Sequence, residues 1–120
     1  MKKYLILLLC LMLGIDSYAQ KIKVACVGNS ITFGAGIKNR DQDSYPAQLQ
    51  KLLGDEYEVR NFGVSGTTAL YNGITPYVQT SQYRESLEFN PDIVFIKFGT
   101  NDAGVRNHKF RILKGLCMGF

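Results

Sequence analysis

Three apolar runs, each ending in a polar segment that contains glycine, most strongly constrain the fold of this 120-residue chain. The runs at 21–27, 57–62 and 93–98 are short, and their apolar and β-branched residues are typical of strands. Helical patterns separate them, one at 44–53 and one at 80–90. Strands that alternate with helices at this spacing predict right-handed βαβ units and a parallel sheet, which is an α/β fold.

Local signals predict where the two helices begin and end. Asp43 and Ser44 are candidate caps, Pro46 falls in the first turn, and Gly54 is placed to end the first helix. The second helix is expected to start near Thr80 or Ser81. It should stop before Pro91, because the residue before a proline leaves the α region. The polar residues 33–42 are expected to form a long loop.

The C-terminal segment differs from the rest of the chain. Residues 20–102 hold eight Lys or Arg and nine Asp or Glu, a net charge of −1, whereas 103–120 hold four basic residues and no acid, a net charge of +4. Three strands and two helices are few for a doubly wound sheet. We therefore expect a shortened copy of a longer domain over 20–102, followed by an atypical basic tail at 103–120. That tail is read as out-of-frame sequence, with a native variable tail as the alternative.

The N-terminus has the pattern of a secretory signal peptide. A short basic head precedes a nearly unbroken apolar stretch at 4–15, and small residues at Ser17 and Ala19 predict cleavage after Ala19. The alternative is a membrane anchor, but a span needs roughly 20 apolar residues. Residues 1–19 are therefore expected to be removed, which leaves a secreted or periplasmic protein with no stable membrane insertion.

Several classes of function are disfavoured by the composition. Two cysteines remain after residue 19: Cys26 lies in an apolar strand, so a buried thiol is expected there, and Cys117 lies in the tail, so no disulfide framework is expected. No metal-ligand spacing is present, and neither a metal nor a cofactor is expected. The positive charge is confined to the tail and predicts no nucleic-acid partner. The sequence GNSIT at 28–32 matches neither a dinucleotide-binding nor a phosphate-binding loop.

Polar residues follow all three predicted strands, at the edge where parallel sheets bind ligands. They lie in GNSIT at 28–32, at Gly63, and in GTND at 99–102. Ser30 is a candidate nucleophile for an acyl carbonyl. Its own N–H, the Gly63 N–H and the Asn101 side-chain amide are candidate donors to the oxyanion. Together these residues predict an acyl-transfer site.

Neighbouring residues are given structural roles. Gly66 is expected only to help form the turn after the second strand, and Asp102 only to cap a helix or brace the Ser30 loop. Thr32 is likewise expected to have a structural and not a catalytic role.

The sequences GNSIT (28–32), NFGVSG (61–66) and GTND (99–102) resemble the first three conserved blocks of the SGNH, or GDSL-like, hydrolases. The resemblance covers about residues 22–102, and Asn29 stands where the family usually has aspartate. It implies a flavodoxin-like (Rossmann-like) three-layer α/β/α sheet, truncated in this chain. It also implies that Ser30 is the nucleophile and that Gly63 and Asn101 are oxyanion donors.

The family's fourth block, an aspartate followed three residues later by histidine, is absent. His108 is the only histidine, and Val105 stands three residues before it. One hypothesis makes His108 a substitute base. The favoured alternative is that it is an exposed histidine of the tail. A serine without a histidine partner is a poor nucleophile.

The resemblance implies an exported serine esterase that removes a small acyl group, most simply acetyl, from a glycan. Lysophospholipid and thioester substrates are alternatives within the family. A non-catalytic fragment or pseudoenzyme that binds acylated glycans is favoured for the 120-residue chain itself, because the base is missing. The strand at 93–98 would lack neighbours, so poor solubility is also expected.

Overall fold

The structure is a computed structural model that describes residues 20–104. Its strands are β1 (Ile22–Gly28), β2 (Tyr57–Gly63) and β3 (Ile93–Lys97). Its helices are α1 (Ser30–Phe33), α2 (Arg40–Asp43), α3 (Tyr45–Leu53) and α4 (Ser81–Glu88), with a 3-10 turn at Tyr77–Gln79. The predicted signal segment 1–19, Cys117 and His108 lie outside the described residues.

The strands form a parallel sheet in the order β2-β1-β3. Gly28 at the end of β1 is in register with Gly63 on one side and with Lys97 on the other. The carboxyl ends of all three strands therefore coincide. This confirms the predicted α/β fold with a parallel sheet.

The two longer helices begin and end near the predicted residues. Ser44 precedes α3 but makes no capping bond through its side chain, and Gly54 follows the helix. The hydroxyl of Thr80 accepts a hydrogen bond from the Tyr83 N–H at 3.2 Å and so caps α4. The prediction of a continuous loop over 33–42 was wrong, because Phe33 ends α1 and α2 begins at Arg40. A single helical turn is too short to show the apolar periodicity that marks a helix.

The core lies on one face of β1 and β2. Phe62 and Phe89 pack with ring centroids 5.6 Å apart, and the buried Tyr77 hydroxyl donates to the Phe62 carbonyl at 2.7 Å. The buried cluster comprises Ala25, Val27, Phe62, Tyr77 and Phe89. Because β1 is paired on both sides, it carries the most deeply buried positions, and Cys26 is fully buried as expected.

The third strand is open to solvent along its whole length. Each residue of β3 is exposed among the described residues, with Ile96 at 73%. Leu87 of α4 borders the same apolar surface and is 59% exposed. Among residues 20–104 no helix has the length and apolar character required to cross a bilayer.

Candidate active site

Ser30 is presented on a short, capped turn directly after β1. Asn29, only 1% exposed, accepts a hydrogen bond from the Ile31 N–H through its side-chain oxygen at 3.1 Å. The carbonyl of Ser30 accepts from the backbone N–H groups of Gly34 and Ala35 at 3.0 and 2.9 Å. Ser30 itself is half-buried. These bonds fix the backbone of the predicted nucleophile at the carboxyl edge of the sheet.

Thr32 holds this turn through a contact with α3. It is fully buried, and its hydroxyl lies 3.1 Å from the Tyr45 hydroxyl. A side chain at position 28 would collide with Thr32, so glycine is required at the end of β1. Burial raises the pKa of Tyr45 above its usual value and that of the adjacent Cys26 to about 11. The Tyr45 hydroxyl and the Cys26 thiol therefore both stay neutral near pH 7. The contact of the buried Thr32 with Tyr45 agrees with the structural role expected for Thr32.

Gly63 lies against the nucleophile turn. A β-carbon at position 63 would collide with the backbone of Thr32 and Phe33, so only glycine allows this approach. The Gly63 N–H donates to the side-chain oxygen of Asn61 at 2.9 Å. Gly63 is thus at the predicted edge, but its amide is already engaged in the structure described.

Asn61 is the residue that sequence reasoning missed. Its side-chain oxygen accepts from Gly63, and its Nδ2 donates to the Thr32 carbonyl at 2.8 Å. One carboxamide therefore ties the end of β2 to the turn that carries Ser30. The available signal was an asparagine two residues before a glycine at a strand end, where such side chains bond to nearby backbone.

The loop after β2 contains a second glycine amide. Gly66 has a φ of 82°, and a β-carbon there would meet no atom within 4 Å. Within residues 20–104 its N–H donates to no acceptor. Gly66 precedes Thr67, whose carbonyl accepts from Asn101 Nδ2 at 2.8 Å. The sequence predicted that Gly66 only helps to form the turn after the second strand, and its positive φ agrees with a position in a turn.

The segment after β3 is tied to the same loop. Besides the bond from Asn101, the carboxylate of Asp102 accepts from the Leu70 N–H at 3.0 Å and the Gly99 N–H at 3.1 Å. Asp102 therefore braces the loop that follows β2, as a structural residue. These partners differ from the expected ones, which were a helix terminus or the Ser30 loop, because Asp102 lies against the loop at Leu70.

The loops of all three predicted site residues meet at one edge of the sheet. The Ser30 turn contacts Gly63 through Thr32, and the Asn101 side chain bonds to the loop that follows Gly63. The catalytic roles assigned to these residues remain predictions. His108 lies outside the described residues, and no group of three or more potential metal ligands occurs within 20–104.

Comparison with known proteins identifies the family to which this chain belongs. The model of the GDSL-like Lipase/Acylhydrolase family matches residues 26–116, so the match extends into the segment 103–120. An acetylxylan esterase of Xylanibacter ruminicola is 52% identical over 89 residues, which cover 74% of this chain and 18% of that protein. The chain thus spans less than a fifth of the length of that relative. The search of solved structures found no match for this chain.

Proposed function

We propose that this chain, which belongs to the GDSL-like lipase/acylhydrolase family, carries the nucleophile and oxyanion donors of a serine esterase. The observation that carries the proposal is the position of Ser30. It begins a capped turn at the sheet edge where the loops of Gly63 and Asn101 are hydrogen-bonded to their neighbours.

In the proposed reaction the Ser30 oxygen forms a bond to the acyl carbon and gives its proton to a general base. The carbonyl oxygen becomes an oxyanion, which backbone N–H groups and the Asn101 carboxamide stabilise. The base returns the proton to the departing alcohol as the ester C–O bond breaks. Water then cleaves the acyl-serine and restores Ser30.

The backbone donor in the loop after β2 is Gly63 or Gly66. Gly63 serves only if its bond to Asn61 breaks or is shared. Gly66 lies beside Thr67, the residue that holds Asn101, and its N–H is not engaged by residues 20–104. These contacts favour Gly66, and they give Gly63 the role of allowing close packing.

The general base is His108 or a histidine supplied from outside these 120 residues, since the sequence contains no other. Loss of one triad member lowers turnover by roughly 10⁴ to 10⁶ in serine proteases. We therefore propose that the 120-residue chain alone binds acyl esters but turns them over slowly. Binding of acylated glycans without catalysis is the second candidate, because the sequence lacks the aspartate-histidine block that supplies the family's base.

We propose an O-acetylated glycan as the substrate, because the relative is an acetylxylan esterase and the N-terminal sequence predicts export. Phospholipid and thioester substrates are the alternatives within the family. A glycan substrate also accords with the predicted secreted or periplasmic location.

The test is a chimaera in which the part of the acetylxylan esterase that follows the matched region is joined after Asp102. We expect the chimaera to hydrolyse p-nitrophenyl acetate at least roughly 10⁴-fold faster than the 120-residue chain. The control is the same chimaera with Ser30→Ala, which should fall to the rate of the chain alone. Equal rates for the two chimaeras would remove Ser30 from the reaction.

A further inference from the structure

A groove of about 580 Å³ runs along the outer side of β2, from Gly63 at the site edge towards Val59. Helices α2 and α3 form one wall, and α4 contributes to the other. Its charged and polar lining side chains include Arg40, Lys51, Gln82 and Glu85. Gly63 packs against the turn that carries Ser30, so the groove begins beside that turn and leads away from it.

The backbone of β2 contributes polar groups to this groove. The Val59 N–H donates to Gln50 Oε1 at 2.7 Å, and Gln50 Nε2 donates to the Tyr57 carbonyl at 3.1 Å, so these groups point away from β1. Backbone groups along a strand alternate between its two sides. The N–H and C=O of Asn61 consequently also lie on the outer edge, which is unpaired with another strand among residues 20–104.

The same edge is unsuited to an added peptide strand. Gln50 occupies the hydrogen-bonding positions of Tyr57 and Val59, and an exposed ion pair joins Arg60 to Glu58 at 2.6 Å. Side-chain caps and charges on an edge are the devices by which proteins block strand addition. A ligand for this groove must therefore use separate donors and acceptors in place of a continuous peptide backbone.

The charge of the lining favours a neutral ligand. Arg40 and Lys51 are balanced by Asp41 and Glu85, so the groove has no excess of either sign to attract an ion. Such a lining supplies both hydrogen-bond donors and acceptors. The hydroxyl groups of a neutral sugar chain match this lining, because each hydroxyl both donates and accepts.

An aromatic side chain lies at the end of the groove nearest the site. Phe33 is in the same helical turn as Ser30, three residues on, and side chains at this spacing are neighbours on a helix surface. Phe33 is 36% exposed, and the Arg40 guanidinium lies over its ring, 4.2 Å from the centroid. Apolar surface beside a few polar groups is typical of small-molecule sites.

We propose that this groove binds the unmodified sugar residues of a polysaccharide whose acylated residue lies at Ser30. Phe33 and Arg40 contact the sugar next to the acylated one, and Asn61 backbone groups with Gln82 hold the sugars beyond it. The groove thereby selects polymeric over monomeric esters. The assignment of the acylated end rests on the proposed esterase function, whereas binding of the bare sugar chain does not require hydrolysis.

The experiment is electrophoresis of the 120-residue chain through native gels that contain chemically deacetylated xylan. We expect migration to slow as the xylan concentration rises. Arg40→Ala and Gln82→Ala should each weaken this retardation at least fivefold. Arg84→Ala is the matched control, because it removes the same charge from an exposed position of α4 that does not line the groove.

The proposal that the groove binds sugar would be overturned if the protein without substitutions were not retarded. Equal retardation of Arg40→Ala, Gln82→Ala and Arg84→Ala would overturn it as well. Retardation only by acetylated xylan would also overturn it, since binding would then be confined to the acyl site. A parallel assay of p-nitrophenyl acetate hydrolysis by the chimaera separates the two proposals. Retardation without hydrolysis contradicts the esterase alone, and hydrolysis without retardation contradicts the groove alone.

Discussion

Asn61 Nδ2 donates a hydrogen bond to the carbonyl oxygen of Thr32 at 2.8 Å and thereby joins the end of β2 to the turn of Ser30. The same side chain accepts from the Gly63 N–H. The relative position of two predicted site segments thus depends on a residue to which sequence analysis gave no role.

We expect Asn61→Ala to lower the free energy of unfolding by about 1–3 kcal/mol, because it leaves two backbone groups without their partner. Urea denaturation measures the change. The control is Gln79→Ala at an exposed position, which should stay within about 0.5 kcal/mol of the unmodified chain. A loss for Asn61→Ala no larger than that of the control would show that the bridge contributes nothing to stability.

Gly63→Ala should destabilise the chain by roughly 3 kcal/mol or more, because the added carbon collides with backbone atoms that cannot move aside easily. Gly36→Ala is the comparison. Gly36, unlike Gly63, has a positive φ of 82°, but it has open space around it, so only the backbone strain of about 1 kcal/mol is expected. Thermal melting of both variants tests this order, and a Gly36 variant less stable than the Gly63 variant would contradict it.

The strands and the longer helices were predictable because their signals are local. β1 and α4 each show an apolar pattern with start and stop residues, and parallel pairing then places Ser30, Gly63 and Asn101 at one edge. What the sequence did not indicate depends on contacts across the sheet. Gly63 comes against the Ser30 turn only because it is in register with Gly28, and that packing is where its amide meets Asn61.

Cys26 should resist alkylation in the folded chain. Burial raises the pKa of its thiol to about 11, so roughly one thiol in a thousand is ionised at pH 8, and the side chain is fully buried. Iodoacetamide treatment followed by peptide mass spectrometry should find Cys26 unmodified without urea and modified in 8 M urea. Equal modification in both conditions would mean that β1 is not a buried central strand.

Tyr77 should make stability fall at high pH. Burial raises the pKa of its hydroxyl from 10.0 to about 12. Below pH 10 both states hold the proton. Between pH 10 and 12 only the unfolded chain releases it, so the free energy of unfolding decreases.

Tyr77→Phe provides the test of this pH dependence. At pH 9 the substitution should cost about 1 kcal/mol, since the Phe62 carbonyl loses its donor. At pH 11 the difference in the free energy of unfolding between the two proteins should be smaller. Only the unmodified chain has a Tyr77 hydroxyl, and its ionisation in the unfolded state lowers stability at this pH. A difference that is constant from pH 9 to 11 would contradict the raised pKa of Tyr77.

The most direct test of Ser30 as the nucleophile is covalent labelling of the chimaera with a fluorophosphonate, mapped by peptide mass spectrometry. A fluorophosphonate reacts with an activated serine and leaves a stable adduct. We expect a single adduct on the peptide that contains Ser30, and none in the Ser30→Ala chimaera. An adduct on another residue, or equal labelling of both proteins, would contradict the assignment of Ser30.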